Sequence, residues 1–159
     1  LGVGKEFGTA LNKAYAAAGV EINNKEKGIF VTLSDSEKPN FIKTVNKYLE
    51  LGFTLYSTEG TGKFLKTNGI DSVIVGKADD LGQTSLTIIE DKLVSLVINT
   101  PTYANELSDG WKIRRLSHET GVAVVSSVRE ADAFIEAFLN QNLVLDDLEV
   151  IQDLSLIHI

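Results

Sequence analysis

The chain has 159 residues, 43% of them apolar, a formal charge of −7, and neither cysteine nor methionine. That length and apolar content suit one domain with a single core. The negative charge, with fifteen basic residues spread along the chain, argues against a nucleic acid polymer as partner, and the apolar runs are too short to cross a bilayer, so no membrane partner is expected. Without cysteine there is no disulfide, thiolate nucleophile or Cys-based zinc site, as expected of a protein kept in a reducing cytoplasm.

The chain starts at Leu1 rather than a methionine and reads as a piece of a longer product. The alanine-rich stretch from Glu6 to Ala18, closed by Gly19, predicts a helix. Five uniformly apolar runs then predict buried parallel strands: Gly28 to Leu33, Phe53 to Ser57, Ser72 to Val75, Leu93 to Asn99 and Val122 to Ser126. Amphipathic stretches fill the gaps. The first runs from Pro39 to Leu51, with Asp35 or Ser36 as cap, Phe41, Val45, Tyr48 and Leu49 on one face, and Gly52 at its end. Thr61 to Asn68 and Ser85 to Asp91 are short helices, and Trp111 to Thr120 is a longer one ended by Gly121. Val128 to Leu139 opens with a capping box, Ser127 capping and Glu130 reaching back. This alternation is that of an α/β fold with three layers, a five-stranded parallel sheet covered by helices on both faces. The last six residues, Leu154 to Ile159, match the translation of a transposon mosaic-end adapter used in sequencing libraries; they are expected to lie outside the fold.

Lys38, the Thr58-Glu59-Gly60-Thr61-Gly62 loop, Lys77 and Asn99 fall at or just past the ends of strands one to four. In an open parallel sheet these ends share the edge where ligands bind. The loop offers small residues, two hydroxyls and the start of a helix, all suited to an anion, although an ordinary strand-to-helix turn has the same composition. Lys38 and Lys77 could neutralise a phosphate. Asn99 can donate and accept, as reading a base or ribose requires, or can simply form the turn before Thr100-Pro101. Asp109 could cap the next helix or contact a ligand. Arg114 and Arg115 could help hold an anion, with at least one on an exposed face. Asp79-Asp80 read as solvated loop carboxylates. Outside the tail the one histidine is His118, read as a surface residue, so no two-histidine metal site or Ser-His-Asp arrangement is indicated.

Four segments carry a family resemblance: Gly28 to Lys38 (GIFVTLSDSEK), Leu51 to Thr61 (LGFTLYSTEGT), Leu96 to Thr100 (LVINT) and Asp109 to Arg115 (DGWKIRR). Together they resemble the methylglyoxal-synthase-like regulatory domain of the carbamoyl phosphate synthase large subunit. On this resemblance, residues 1–20 are a linking helix from an upstream catalytic domain, residues 21–153 the regulatory domain, and residues 154–159 an adapter-derived tail. The family binds nucleotide monophosphates such as UMP or IMP, or phosphoribosyl pyrophosphate, and in enteric-type members ornithine. It thereby tunes distant ATP-grasp sites that serve pyrimidine and arginine biosynthesis. The resemblance implies effector contacts at Thr32, Lys38, Thr58, Gly60, Thr61, Lys77, Asn99, Thr100 and Asp109, and no catalytic residue or cofactor in this domain. ATP and Mg or Mn would belong to the parent ligase. Its partners would be the remaining large-subunit domains and a glutaminase small subunit.

Two departures stand out. Pro101 replaces a threonine of the family and brings neither hydroxyl nor N–H. The strand-five positions facing ornithine are Val124 and Ser126, of which only Ser126 can hydrogen-bond, so ornithine sensing is not expected. The rival reading is a methylglyoxal synthase-type lyase acting on dihydroxyacetone phosphate. That enzyme uses histidines where this chain has Ser34-Asp35-Ser36 and Ala104-Asn105-Glu106, which leaves acid–base chemistry without an agent.

Overall fold

The computed structural model describes residues 27–101 and 108–139. The linking helix of residues 1–20, the tail of residues 154–159 and the segment Ala104-Asn105-Glu106 lie outside them. Five strands, β1 (Gly28–Thr32), β2 (Leu55–Ser57), β3 (Val73–Ile74), β4 (Val94–Asn99) and β5 (Ala123–Val125), form one sheet in the order β3-β2-β1-β4-β5. Every pairing is parallel. Between them run α1 (Lys38–Glu50), α2 (Glu59–Thr67), α3 (Ser85–Glu90) and α4 (Asp109–Thr120), and a last helix, α5, spans residues 128–139.

The chain grows outward from β1 to β2 and β3, then returns to lay β4 on the other flank of β1. Because parallel crossovers keep one hand, reversing direction moves the helices to the opposite face. On one face, α1, α2 and α5 pack Phe41, Val45, Leu65, Phe134 and Phe138 on Ile29, Val31, Leu96 and Ile98. On the other, Ile88 and Ile89 of α3 and Ile113 of α4 cover Phe30, Val94 and Val97. A register shift in the β1–β4 ladder sets Gly28 opposite Val94 but Ile29 opposite Leu96, so Ser95 is an extra residue and Val94 and Val97 share a face.

In α1, Phe41, Thr44, Val45 and Tyr48 are buried at the three- and four-residue spacing of one helical stripe. Its cap is not the expected Asp35 or Ser36. Glu37 holds that place without a side-chain bond, because Asp35 is bonded by the Lys38 ammonium at 2.6 Å and Ser36 Oγ by Ser34 Oγ at 3.2 Å. Helix α2 begins at Glu59, two residues before the expected Thr61, since the extended Thr58 already ends the strand connection. Gly62 does not interrupt it. A Cβ there would lie 2.7 Å from Ser57 Oγ and overlap the Ile74 side chain, so glycine lets α2 settle on the sheet. Helix α4 likewise starts early, capped by Ser108, whose Oγ accepts from Trp111 N at 3.3 Å; Asp109 is its first residue rather than its cap. Gly121 ends it in the left-handed conformation, φ 74°.

The box at α5 forms by half: Ser127 Oγ accepts from Glu130 N at 3.1 Å, but the Glu130 carboxylate reaches past Ser127 to Ser126 N at 2.7 Å. A complete box, unforeseen in the sequence, joins Thr84 and Thr87 at α3. Strand β3 is shorter than expected and not buried. It is an edge strand, with Val73 42% and Ile74 50% exposed.

Helices α1 and α5 are locked by Tyr48 Oη, which donates to Ala131 O at 2.6 Å, and by Lys47, which reaches Asp132 at 2.8 Å and Glu136 at 2.9 Å. Tyr48→Phe keeps the ring packing and loses the bond, so equilibrium denaturation is expected to show a loss of about 1 kcal/mol. Bonding to Asp132, and then to Glu136, raises the Lys47 pKa above its ordinary 10.5. The stability from this pairing is therefore fully present below that ordinary value and is lost as pH rises through the raised one. The groups are over a third exposed, so solvent screening holds its size below about 1 kcal/mol. Lys47→Met should flatten the alkaline limb of the stability profile while leaving its neutral and acid parts parallel to wild type.

Candidate ligand-binding site

The reversal of strand order places the ends of β1 and β4 at a switch point, where the two following connections diverge. Beyond the last strand residues, backbone groups must find other partners, and the two chains supply them to each other. Thr100 N donates to Thr32 O at 3.1 Å, Ser34 N to Thr100 Oγ1 at 2.7 Å, and Thr100 Oγ1 to Ser34 Oγ at 3.3 Å. Leu33 N donates to Thr61 Oγ1 at 3.1 Å, which draws the start of α2 to the same edge.

Next to this seam opens a cavity of about 730 Å³. Its wall takes Thr32, Leu33 and Ser34 from the β1 end, Thr58, Glu59, Gly60 and Lys63 from the β2–α2 junction, Val75, Gly76, Lys77 and Asp80 after β3, and Ser85 at the start of α3. Asn99 and Thr100 come from the β4 end, and Asp109, Gly110 and Ile113 from α4. The sequence-predicted residues Thr32, Thr58, Gly60, Lys77, Asn99, Thr100 and Asp109 thus share one wall, although up to 77 positions separate Thr32 from Asp109 in the chain.

Lys38 and Thr61 are not on that wall. Lys38 sits at the first turn of α1 with its ammonium on Asp35. Thr61 is only 2% exposed, and its Oγ1 accepts from Leu33 N and from Thr58 Oγ1, so its hydroxyl fastens the loop from beneath. Ser126 lies at the end of β5, with its N–H and hydroxyl both directed to Glu130. Val124 packs in the apolar cluster with α4. Arg115 bonds Glu119 at 2.9 Å and stacks over Trp111, while Arg114 is half-buried on the same helix. His118 is exposed on α4.

The charges of the wall are largely matched internally. Lys63 bonds Glu59 at 2.7 Å and, with a smaller contribution from Lys77, holds the Glu59 carboxyl below the usual carboxylate range. Asp80 accepts from Lys77 N at 2.7 Å, closing the turn that carries Lys77. The Lys77 ammonium and the Asp109 carboxylate have no side-chain partner among the described residues, and the N–H groups of Glu59, Gly60 and Thr61 at the start of α2 have no acceptor there. Such a set can hold an anion at the helix start beside Lys77, and donor groups of a ligand at Asp109. Asn99 is buried and donates from Nδ2 to Gly110 O at 2.9 Å, which fixes its amide orientation. Among the described residues no three His, Asp or Glu side chains gather as a metal-holding group, and no helix is long and apolar enough to cross a membrane.

Sequence reasoning missed Ser34, Asp80, Ser85 and Ile113. Asp80 was legible as the fourth residue of the Lys77-to-Asp80 turn, and Ile113 as a core position of α4. Ser85 carried no signal beyond its place at a helix start.

The family described as "MGS-like domain" matches residues 40–126, more than half of the chain. The chain is 36% identical over 141 residues to the "Carbamoyl phosphate synthase large chain" of Lachnoclostridium phytofermentans, covering 88% of this chain and 13% of that protein. It is 36% identical over 138 residues to the "Carbamoyl phosphate synthase large chain, C-terminal section" of Aquifex aeolicus, and 33% over 138 to that of Methanocaldococcus jannaschii. These cover 86% of this chain and 25% and 22% of those proteins, so the chain spans a quarter or less of each relative. The matched span holds every wall residue from Thr58 to Ile113, while Thr32, Leu33 and Ser34 precede it, and the chain belongs to the MGS-like domain family.

Proposed function

We propose that this chain is the regulatory domain of a glutamine-dependent carbamoyl phosphate synthase and that it binds a nucleotide monophosphate or phosphoribosyl pyrophosphate in the switch-point cavity. One observation carries the reading. The unpaired N–H groups of α2 and the unpartnered Lys77 ammonium stand at the rim of a cavity whose inner wall is apolar at Leu33, Val75 and Ile113. A dianionic phosphate gains charge-assisted bonds at such a rim, and the cavity volume is within the range of small-molecule sites. The relatives carry the name of the synthase and extend well beyond the matched length, which supports a part that acts on catalytic domains elsewhere. In that reading the ATP, the Mg or Mn, the glutaminase subunit and the ligase chemistry belong to the parent assembly, in the cytoplasm.

Binding rather than lyase chemistry is favoured by the residues after β1. Ser34 and Ser36 are bonded to each other, and Asp35 is bonded to Lys38, so none stands as a general base at the cavity. Ornithine is disfavoured because an ammonium needs acceptors in exchange for water, while Val124 offers none and Ser126 is engaged with Glu130.

Calorimetric titration is expected to give saturable, mutually competitive binding of UMP, IMP or phosphoribosyl pyrophosphate and no heat with millimolar ornithine; the reverse pattern overturns the reading. Lys77→Ala should weaken binding by about 1.5 to 3 kcal/mol, or roughly ten- to a hundredfold. Lys38→Ala should cost less than tenfold, because Lys38 would exchange one anionic partner for another. In a phosphate-release assay with dihydroxyacetone phosphate the chain is expected to show only background. Turnover abolished by Asp80→Asn or Asp109→Asn would favour the lyase instead.

A further inference from the structure

The cavity has two kinds of wall. Its rim is exposed at Glu59, Gly60 and Lys77, and this is where the charges and free N–H groups lie. Its floor, between the sheet and helices α3 and α4, is buried at Val75, Ile113, Asn99 and Ser85. A phosphate cannot leave water for an apolar floor without a matching charge, so a ligand must enter with its anionic end at the rim and its least polar part inward. The floor therefore suits a weakly polar group.

Ser85 breaks the pattern of that floor. It is 1% exposed, and its Oγ has no hydrogen-bond partner, the sole buried side-chain N or O atom in that state among the described residues. Its backbone is not short of bonds, since Ser85 N donates to Gly76 O at 3.0 Å. The neighbouring polar side chains are committed: Thr84 and Thr87 cap α3 through each other, and Asn99 Nδ2 holds Gly110 O. A buried hydroxyl left unpaired is costly, and alanine at this position would retain the helix start at lower cost. The groups that can complete its bonding are those that enter the cavity.

We infer that Ser85 is a specificity-determining contact whose hydroxyl hydrogen-bonds the polar edge of a planar heterocyclic base seated against Val75 and Ile113. The domain thus selects base-bearing nucleoside monophosphates over phosphorylated sugars without a base. A serine hydroxyl both donates and accepts, so it pairs with a ring carbonyl or a ring N–H alike. The inference rests on the nucleotide reading of the cavity and narrows it, because phosphoribosyl pyrophosphate would use the rim and leave the Ser85 hydroxyl unpaired.

The test compares wild type, Ser85→Ala and Ser85→Cys by thermal melting and by calorimetric titration with UMP, IMP and ribose 5-phosphate. Removing an unpaired buried hydroxyl should leave the ligand-free melting temperature of Ser85→Ala unchanged or raised. The same variant should bind the better nucleotide roughly three- to tenfold more weakly. Ribose 5-phosphate affinity should be unaltered, and Ser85→Cys, which keeps the volume but bonds weakly, should fall with alanine. Wild-type nucleotide binding that Ser85→Ala leaves untouched, or weakens equally for ribose 5-phosphate, overturns this inference alone. A lowered ligand-free melting temperature would show a structural partner for the hydroxyl and also overturn it. Absence of nucleotide binding to wild type removes the inference together with the reading beneath it.

Discussion

The pairing of β1 with β4 is the constraint on which the rest depends. These two strands are buried at almost every position and run longest together, with partners from Gly28 to Thr32 and from Val94 to Asn99. Past the shift at Ser95, the two strands pair in unbroken register from Ile29 and Leu96 to Thr32 and Asn99. There the chains part toward α1 and α4, on opposite faces, and the groups beyond the ladder are met by Thr100, Ser34 and Thr61. The opening beside that seam follows from parallel connectivity: two connections that leave in opposite directions cannot both cover the edge they depart from.

That constraint also explains why side chains so far apart in the chain face one another. Each strand in a parallel sheet hands its next few residues to the same edge, so the wall is assembled from four separate junctions. The hydroxyls divide into two tasks. Thr61, Thr100 and Ser34 spend theirs on backbone N–H groups or on one another and hold the junctions in register. Thr32 carries no such bond among the described residues, and Thr58 donates only to Thr61 at 3.3 Å, leaving these two nearer to what enters the cavity. Sequence alone does not separate the tasks, because threonine at the end of a strand looks the same in both.

The five strands and their parallel sense were legible because buried parallel strands are apolar at successive positions, as in Leu96-Val97-Ile98. Gly52 and Gly121 marked helix ends through the left-handed backbone they adopt. What failed were starts. Thr58 and Ser108 each cap a helix that begins with an acidic residue and a glycine, and the glycine suggested a loop where tertiary contact tolerates a helix. Ser72 to Val75 suggested a buried strand, yet its place at the sheet edge leaves Val73 and Ile74 exposed, and edge position depends on strand order rather than on the strand's own composition. Of the site, position beyond a strand end was readable for Lys77, Asn99 and Asp109. The commitments of Lys38 to Asp35 and of Thr61 to Leu33 were not, since each depends on a neighbour's rotamer or on the packing of another element.

The excursion between β3 and α3 leaves and returns at nearly one point. Gly76 bridges to Thr84, with Gly76 N bonded to Gln83 O at 2.9 Å, and Leu81 at its tip is fully exposed. No core residue lies between these anchors, so the tip is where the chain best tolerates a nick or an inserted segment. Lys77 and Ser85 stand at the two feet of this excursion. A circularly permuted fluorescent protein grafted at Leu81-Gly82 would thus be mechanically tied to both the rim and the floor of the cavity, while the sheet beneath it keeps every strand pairing.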